Sequence, residues 1–426
     1  MKKIIALLLA CMMIVGLFAG CGSNEPAPTE GKTDAPATDA ATEAAPEAIT
    51  LKVWAPQEDQ VDENSWLIKV QKAFEEAHPE YVITWDNGVC PEGDAATMVT
   101  ADPAAAADVY MFANDQLGTL LQAGALAKLG GSYLEQVQGD VSATYLNTVT
   151  ATDGGVYGFP VAPNTWFMYY DKSVLTEEDV KSLEGVMAKG KVAFEVKNSW
   201  YLPAFFFAAG GSLFGETGSD AAAGIKFGGQ PGYDAVNAVL DLMENPNFVV
   251  DGDGFGNNGV KNRDDDVVAY FSGSWDYAGL YEALGEDLGA VAPPTVTIAG
   301  EAKQLLAYAG SKAVGVNPNA KNMKAAMQFA AFLADDDSQL LRFQLRNITP
   351  AVTALAENAD VAASIVATAE SATMAYASVA QPTIAEMNPV WGPVGTLGTN
   401  IADGMVTRDS VQADVDAFDA QLNGGL

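Results

Sequence analysis

The chain has 426 residues, 49% of them hydrophobic and 18% charged, and a formal net charge of −33. That length suggests two or three domains rather than one core, and the composition has enough apolar residues to fold most of them. So acidic a chain offers no basic surface for DNA or RNA and no polybasic patch for a membrane surface.

Met1-Lys2-Lys3 is a basic start, and Ile4 to Phe18 is an apolar run of signal-sequence length, too short to span a bilayer as a stable helix. It ends Leu17-Phe18-Ala19-Gly20-Cys21. Small residues before a cysteine resemble a bacterial lipobox, in which Cys21 becomes the lipid-bearing first residue. An ordinary signal peptide cut near Ala19 or Gly20 is the alternative. Residues 22–48 hold no aromatic residue and no aliphatic one larger than Ala. Such a segment cannot bury enough apolar area to offset ordering entropy and is expected to be a flexible tether. The expected location is therefore outside the cytoplasm, anchored to the bacterial membrane by lipid. Cys11 leaves with the signal and Cys21 carries lipid, so Cys90 stands alone and no internal disulfide can form. No apolar run of about 18 residues follows the signal, so no transmembrane helix is expected.

The folded part opens with Ile49 to Trp54, an alternating strand. Leu67, Val70, Phe74 and Ala77 recur at helical spacing after Asn64, a candidate N-cap, and Pro79 stops the helix. Tyr81 to Trp85 and Asp108 to Phe112 read as strands, and Gln116 to Leu126 as a helix. Val156 to Tyr170 is extended and interrupted by Pro160 and Pro163. Then follow a strand at Ala193 to Glu195, helices at Tyr201 to Ala209 and Tyr233 to Met243, a strand at Val267 to Phe271, a helix at Met323 to Leu333, and a mostly helical last stretch. Alternation of this kind implies an α/β fold with largely parallel pairing. No internal repeat is evident.

Several motifs resemble catalytic or metal sites without completing them. The mature chain has one histidine, His78, at a helix end, so a Ser-His-Asp or Cys-His machine would rest on that residue alone. The Cys and His inventory cannot supply a zinc site. Gly185 to Lys191 matches most of a P-loop, but Val192 stands where Ser or Thr must hold magnesium, and the segment reads as a helix-to-strand turn. Asp251-Gly-Asp253-Gly-Phe255-Gly256 begins like a calcium loop, but Phe255 sits at a ligand position and Asn262 replaces the bidentate Glu. It reads as a solvated acidic loop, with weak calcium binding left open. No catalytic residue, metal or cofactor is assigned.

Aromatic residues carry more information. Trp54 ends the first strand, Trp200 follows Asn198-Ser199 at a helix start, Trp275 lies between Ser274 and Asp276, and Trp391 lies between Pro389-Val390 and Gly392-Pro393. Loops at strand ends are where α/β folds place ligands. Ring faces beside carboxylates and amides suit a ligand with apolar C–H faces and a hydroxyl rim, a carbohydrate. The rings bury sugar faces at roughly 25 cal/mol per Å², and charged acceptors add roughly 1.5–3 kcal/mol per hydroxyl. The four arginines, Arg263, Arg342, Arg346 and Arg408, lie outside these motifs. An anionic ligand would call for an Arg fork, so a neutral one fits better.

Six segments carry a family resemblance. They are Ile49 to Pro56; Ala107-Asp-Val-Tyr-Met-Phe-Ala-Asn-Asp115-Gln-Leu-Gly118 with the Gln122 to Leu129 stretch after it; Tyr157-Gly-Phe-Pro-Val-Ala162; Asn198-Ser-Trp200; Gly273-Ser-Trp275; and Trp391. Together they make residues 49–426 resemble the extracellular solute-binding proteins of ABC sugar importers, especially the maltose/maltodextrin-binding branch. The second segment is similar to the branch's aromatic-Ala-His-Asp-Arg-Phe-Gly motif. The resemblance puts Phe112 on a stacking aromatic and Asp115 on a sugar-binding Asp, with Asn114 and Gln116 replacing His and Arg. Asn164 replaces a ligand-binding Glu, and Asn198-Ser-Trp200 stands for Glu-Pro-Tyr, with Trp200 as the stacking ring. Trp275 falls in a Gly-Pro-Trp position and Trp391 on the second-lobe Trp. Glu58 or Asp59 falls where an acidic residue meets sugar hydroxyls, as does Asp86.

The resemblance implies the two-lobed periplasmic-binding-protein fold of type II. Each lobe is a mixed β-sheet flanked by helices, with the ligand in the cleft between them. Residues 49–162 and 301–345 are expected to form the first lobe, and 163–300 and 346–426 the second. The implied function is binding of a neutral oligosaccharide, most readily a maltodextrin, by a monomer that closes on it and delivers it to ABC permease subunits. A different neutral solute remains an alternative, as does a surface glycosidase, which would need two carboxylates about 5–9.5 Å apart.

Overall fold

The computed structural model describes residues 45–424. The signal sequence, Cys21 and nearly all of the tether lie outside the described residues. Among the described residues the chain forms two sheets with separate hydrophobic cores. The first takes β1 (Glu47–Ala55), β2 (Tyr81–Val89), β3 (Val109–Ala113) and β4 (Phe159–Asn164), and later β14 and β15. The second takes β5 (Phe167–Asp171), β6 (Lys191–Phe194), β9 (Phe248–Val250), β10 (Val267–Ser272) and β11 (Leu288–Val291). Two short hairpins, β7 (Ser212–Leu213) with β8 (Ile225–Lys226) and β12 (Thr295–Ile298) with β13 (Glu301–Gln304), stand apart. The long β14 (Ala307–Val316) and short β15 (Ser378–Ala380) complete the first sheet, in the order β15-β14-β3-β1-β2 with β4 also on β14. The second sheet runs β11-β5-β10-β6-β9. Both sheets are mixed: β1 pairs in parallel with β2 and β3, whereas β14 runs antiparallel to β3 and β4.

Local chemistry explains the elements. β1 alternates inward Ile49, Leu51 and Val53 with more exposed partners, the period of a strand with one face on a core. The helix Trp66–Ala77 buries Trp66, Leu67, Val70 and Phe74, one stripe at helical spacing. Its N-cap position is Ser65 rather than Asn64, whose N–H instead donates to Asp62. The helix expected over Gln116 to Leu126 is shorter, Leu117–Gln122, because Gly124 takes a left-handed φ of 63° and turns the chain. The extended Val156 to Tyr170 passage is divided in two. Phe159 and Val161 on β4 pack in the first core, while Trp166 and Met168 pack in the second. The break at 165–166 is where the chain passes from one sheet to the other.

β14 makes the return passage within one strand. Ala307 and Tyr308 belong to the second core, and Ala313, Val314 and Val316 to the first. Val296, Ile298 and Leu305 also belong to the second core, so the return falls beyond residue 301. The helix Asp336–Arg346 packs with the first lobe, and the helix Ile365–Tyr376 buries Val366 and Ala369 against the second sheet. The third passage lies between them.

A buried charge cluster joins the loops that end β1 and β2 to the Asp336–Arg346 helix. Arg342 is 2% exposed and Asp59 fully buried. Arg342 Nη2 lies 2.6 Å from Asp59 Oδ2 and 3.3 Å from Glu92 Oε1, and Arg346 Nη1 lies 2.7 Å from Asp59 Oδ1. The Arg342 guanidinium also sits 4.8 Å from the centroid of the Trp66 ring. Burial would raise the Asp59 carboxyl, but Arg342 and Arg346 outweigh it and hold the group below the ordinary carboxylate range. Removing one partner of such a cluster leaves uncompensated buried charge. Asp59→Ala should therefore cost about 3–5 kcal/mol in urea unfolding. Arg346→Ala, whose side chain is partly exposed, should cost clearly less. Equal small losses in both would show that the cluster does not hold the lobe together.

Candidate ligand-binding cleft

A cleft of about 410 Å³ opens between the two sheets. Its first-lobe wall is polar. β3 ends at Ala113, and the tight turn Asn114–Gln116 follows at the carboxyl end of the strand, where open α/β sheets place ligands. Asn114 is held from below: its Oδ1 accepts from Ser311 N–H at 2.9 Å. Gln116 braces the neighbouring loop, accepting from Ala96 N–H at 2.6 Å and donating to Gly93 O. That leaves Asp115 at the cleft wall. Burial pushes its carboxyl up to about 6, against a backbone hydrogen bond that opposes the shift. Glu92 and Lys312 stand beside it, 3.7 Å apart. Burial would raise Glu92, but Lys312 and Arg342 overcome it and keep it ionised.

The second-lobe wall is aromatic. Trp200, Trp275 and Trp391 line it. Asn198 Oδ1 accepts the N–H of Trp200 at 2.9 Å, a local turn that sets the ring at the helix entry. Trp200 and Trp275 lie 6.0 Å apart at 37°. Trp275 is 44% exposed, an unusual state for so large an apolar ring. Its place is fixed by the end of β10: Tyr270 OH and Ser272 Oγ donate to Asp276 Oδ2 at 2.9 and 2.7 Å, and Tyr169 OH donates to Gly273 O at 3.1 Å. Gly273 is required beneath the ring, since a Cβ there would meet it at 2.1 Å. Trp391, in the helix Asn388–Ala402, meets Tyr308 edge-on at 5.9 Å. Lys312 Nζ lies 5.7 Å from the Trp275 centroid, so a cation of the first lobe faces a ring of the second. Asn164 and Gln381 close the floor at the passages between lobes.

Of the sequence-predicted residues, the structure thus brings Asp115, Asn164, Trp200, Trp275 and Trp391 to one cleft. Asn198 is adjacent, its amide oxygen engaged with Trp200. The other five lie elsewhere. Phe112 is fully buried under Gly158 and Gly315, because β3 is central and covered on both faces. Asp59 is consumed by Arg342 and Arg346. Glu58 is exposed in the turn before it. Trp54 packs across β2 over Gly88, with Lys52 Nζ 5.2 Å from its ring. Asp86 is exposed on β2. Sequence reasoning missed Glu92, Lys312 and Gln381, which no local motif announces; Ser199 lies within the Asn198-Ser-Trp200 segment but was not singled out.

The apparent motifs resolve structurally. Gly185 lies inside the helix Leu183–Met187. His78 Nδ1 pairs with Glu80 at 3.0 Å. Asp251 Oδ1 accepts from Gly252 and Gly256, both at 2.8 Å, and so closes its own loop. Among the described residues, no three His, Cys, Asp or Glu side chains are grouped to hold a metal, and no helix is long and apolar enough to cross a membrane.

Two mixed α/β lobes joined by crossing strands, with a polar wall facing an aromatic one, define a solute-binding protein. Residues 69–369 match the bacterial extracellular solute-binding protein family, and the chain belongs to it. It is similar to the galactooligosaccharide-binding protein of Bacillus subtilis strain 168, 24% identical over 315 residues that cover 70% of this chain and 72% of that one. It is also similar to the maltodextrin-binding protein MdxE of the same organism, 24% identical with 95% and 93% covered. A solved structure described as being with acarbose is 44% identical, covers 89% of this chain and 99% of its own, and superposes with a TM-score of 0.84. A maltodextrin-binding protein from L. casei BL23, solved without ligand, is 26% identical, covers 88% and 99%, and gives 0.80.

The Asp115 carboxyl gives a test of the cleft. Its folded pKa of about 6 lies above the ordinary 3.8, so the folded state holds its proton longer than the unfolded one. Below about 4 that difference costs nothing. Stability is lost as pH rises from about 4 to 6, and the loss persists above. Asp115→Asn should therefore stabilise the fold at pH 7.5 by an amount on the order of 2 kcal/mol and do so little at pH 4. Urea unfolding at the two pH values checks it.

Proposed function

We propose that this protein is a lipid-anchored surface receptor that binds a neutral oligosaccharide, most readily a maltodextrin, and passes it to an ABC permease by hinge closure. The observation that carries the reading is the cleft itself. Three tryptophan rings of one lobe face the Asp115, Asn164, Gln381 and Lys312 rim across about 410 Å³. Apolar rings suit sugar C–H faces, and the rim suits hydroxyls. Among the described residues Lys312 is the only cation lining that cleft, and the carboxylates Glu92 and Asp115 line it too, so no cluster of positive charge awaits an anion. Relatives named for maltodextrin and galactooligosaccharide binding, and one solved with acarbose, support the same ligand class.

Closure follows from the two-walled site. A ligand touching both walls favours the conformation in which both touch it, by its differential affinity for that state. The crossings at 162–166, at β14 and beyond Arg346 are the segments that would flex. In this reading the first lobe supplies hydroxyl acceptors and donors, and the second supplies stacking rings. The lipid on Cys21 keeps the receptor beside its transporter.

A glycosidase would need two free carboxylates flanking the scissile bond. The cleft carboxylates are Asp115 and Glu92, and Glu92 is committed to Arg342 and Lys312. The binding reading is therefore preferred, and oligosaccharide incubated with the protein should be recovered intact.

Titration calorimetry against glucose, maltose, maltotriose and longer maltodextrins tests the proposal. Saturable binding without products is expected. Covering roughly 80 Å² of ring at about 25 cal/mol per Å² is worth about 2 kcal/mol, so Trp275→Ala should weaken maltotriose about thirtyfold with unfolding unchanged, and Trp391→Ala should weaken it similarly while also losing some stability from its packing on Tyr308. Unchanged affinity in both variants would refute the site. No heat with any maltodextrin would move the search to other neutral oligosaccharides.

A further inference from the structure

We propose that the space between the lobes continues past Trp275 into a second carbohydrate compartment, where the stacked Tyr277 and Tyr281 rings take the overhang of a neutral oligosaccharide too long for the tryptophan cleft. The inference rests on the sugar-binding reading above and extends it to chain length.

The compartment has a volume of about 590 Å³, larger than the tryptophan cleft. It too lies between the lobes. Its second-lobe wall is the helix Tyr277–Leu284, which brings Tyr277 and Tyr281. Its first-lobe wall is the end of the helix Asp336–Arg346, which brings Leu345 and Arg346. Asn347, at the start of the third passage, joins them.

Both walls lead there from the cleft. On the second lobe, Tyr277 comes two residues after Trp275, where the Ser274–Asp276 turn becomes the helix. Tyr281 stands one turn, about 6 Å, further along. On the first lobe, Glu92 in the cleft and Arg346 in the compartment belong to one ion cluster. Glu92 Oε1 is 3.3 Å from Arg342 Nη2, which is 2.6 Å from Asp59 Oδ2, and Asp59 Oδ1 is 2.7 Å from Arg346 Nη1. Cleft and compartment are thus neighbours along both walls.

Tyr277 and Tyr281 stack with ring centroids 5.4 Å apart at 23°. Tyr281 is nevertheless 44% exposed, and so is Leu345 of the other wall. Single exposed apolar residues are ordinary, but two that line one cavity together with a second ring make an apolar slot open to water. A ring held by a stacked neighbour is flat and has little freedom left to lose, which suits the C–H face of a sugar. The polar part of the lining suits hydroxyls. Glu282 and Asp360 offer acceptors, and Asn347 has an amide nitrogen that is buried with no partner. Among the described residues the lining holds one cation, Arg346, which is paired with Asp59. An anionic ligand is therefore disfavoured, as it is in the first cleft. Because both lobes wall the compartment, a chain that reaches it adds contacts to both and favours closure further. A sugar confined to the tryptophans gains nothing from it.

Titration calorimetry with maltotriose and maltoheptaose tests the proposal. A long chain gains a small statistical factor from extra registers in the first cleft alone, so the variants decide and not the raw ratio. Tyr281→Ala should weaken maltoheptaose about fivefold to tenfold and leave maltotriose unchanged. Tyr281→Phe, which keeps the ring, should bind both sugars as the unaltered protein does. Tyr281→Ala without effect on maltoheptaose, or with equal effect on both sugars, overturns the proposal. So does Tyr281→Phe behaving like Tyr281→Ala, since the hydroxyl and not the ring would then carry the effect. Should Tyr281→Ala fail to fold by circular dichroism, Leu345→Ala on the opposite wall is read in the same way. If neither sugar binds the unaltered protein, the maltodextrin reading falls and this inference with it. If maltotriose binds and the variants do not separate the two lengths, only this inference falls.

Discussion

The cleft depends on Arg342. Its guanidinium is buried among Asp59, Glu92 and the Trp66 ring. Taking three charges out of water is expensive, and their mutual attraction repays it only when the geometry is good. Here the contacts close a chain that runs Arg346, Asp59, Arg342, Glu92, Lys312, with charges alternating in sign at every step. The chain fastens the loops after β1 and β2 to the Asp336–Arg346 helix at one end. At the other it reaches into the cleft. The polar wall is therefore preorganised: Glu92 cannot swing away to hydroxyls without releasing Arg342, and Lys312 is aimed by Glu92 before any ligand arrives.

The two walls are built by different physics. The first-lobe wall is placed by charge pairing and by amides that brace turns, as Asn114 does on Ser311 and Gln116 on Ala96 and Gly93. The second-lobe wall is placed by packing. Trp166 stacks on Tyr201 at 5.1 Å and donates its indole N–H to Trp200 O, so the ring that faces the cleft rests on a fully buried aromatic layer. Electrostatic walls hold direction, and packed walls hold shape. A ligand with oriented hydroxyls and flat apolar faces uses both, and neither wall alone is complementary to it.

This division explains what the sequence made legible. Trp200 and Trp275 sit in local turn signatures, and a turn places its own side chains whatever the rest of the chain does; Trp391 lies in the first turn of the helix Asn388–Ala402. On the polar side Asp115 and Asn164 were legible, but Asp59 was not, because its partners lie far along the chain. Asp59 stands in a loop at the end of a strand, where an acidic residue resembles a hydroxyl acceptor. Only the distant Arg342 and Arg346 show that it is spent. Phe112 failed for another reason. Every residue of β3 is buried, so period-2 alternation carries no information about which face meets the cleft. β14 went unnoticed because Ala307 to Val316 is rich in small residues and nearly all buried, which looks like neither an amphipathic strand nor a helix.

The passages between lobes concentrate a second feature. Buried polar atoms without partners include Asn114 Nδ2, Thr165 Oγ1, Thr349 Oγ1 and Gln381 Oε1, at the cleft wall or on segments that cross, and also Glu370 Oε2, Arg342 Nη1 and Asp414 Oδ2 away from them. A globular core generally satisfies such groups or excludes them. Asp115 adds a carboxyl that burial drives toward its neutral form. A sequence selected for stability alone would replace these with apolar residues of similar size. Retaining them at the seam means that no single arrangement satisfies every group there. In the hinge-closure reading proposed above, a seam of that kind would leave two arrangements close in free energy. A hinge needs that closeness: a ligand can shift an equilibrium only by its differential affinity, so the gap it must overcome has to be small. In that reading the unsatisfied groups and the displaced Asp115 carboxyl at the cleft are the energetic counterpart of the strands that cross it.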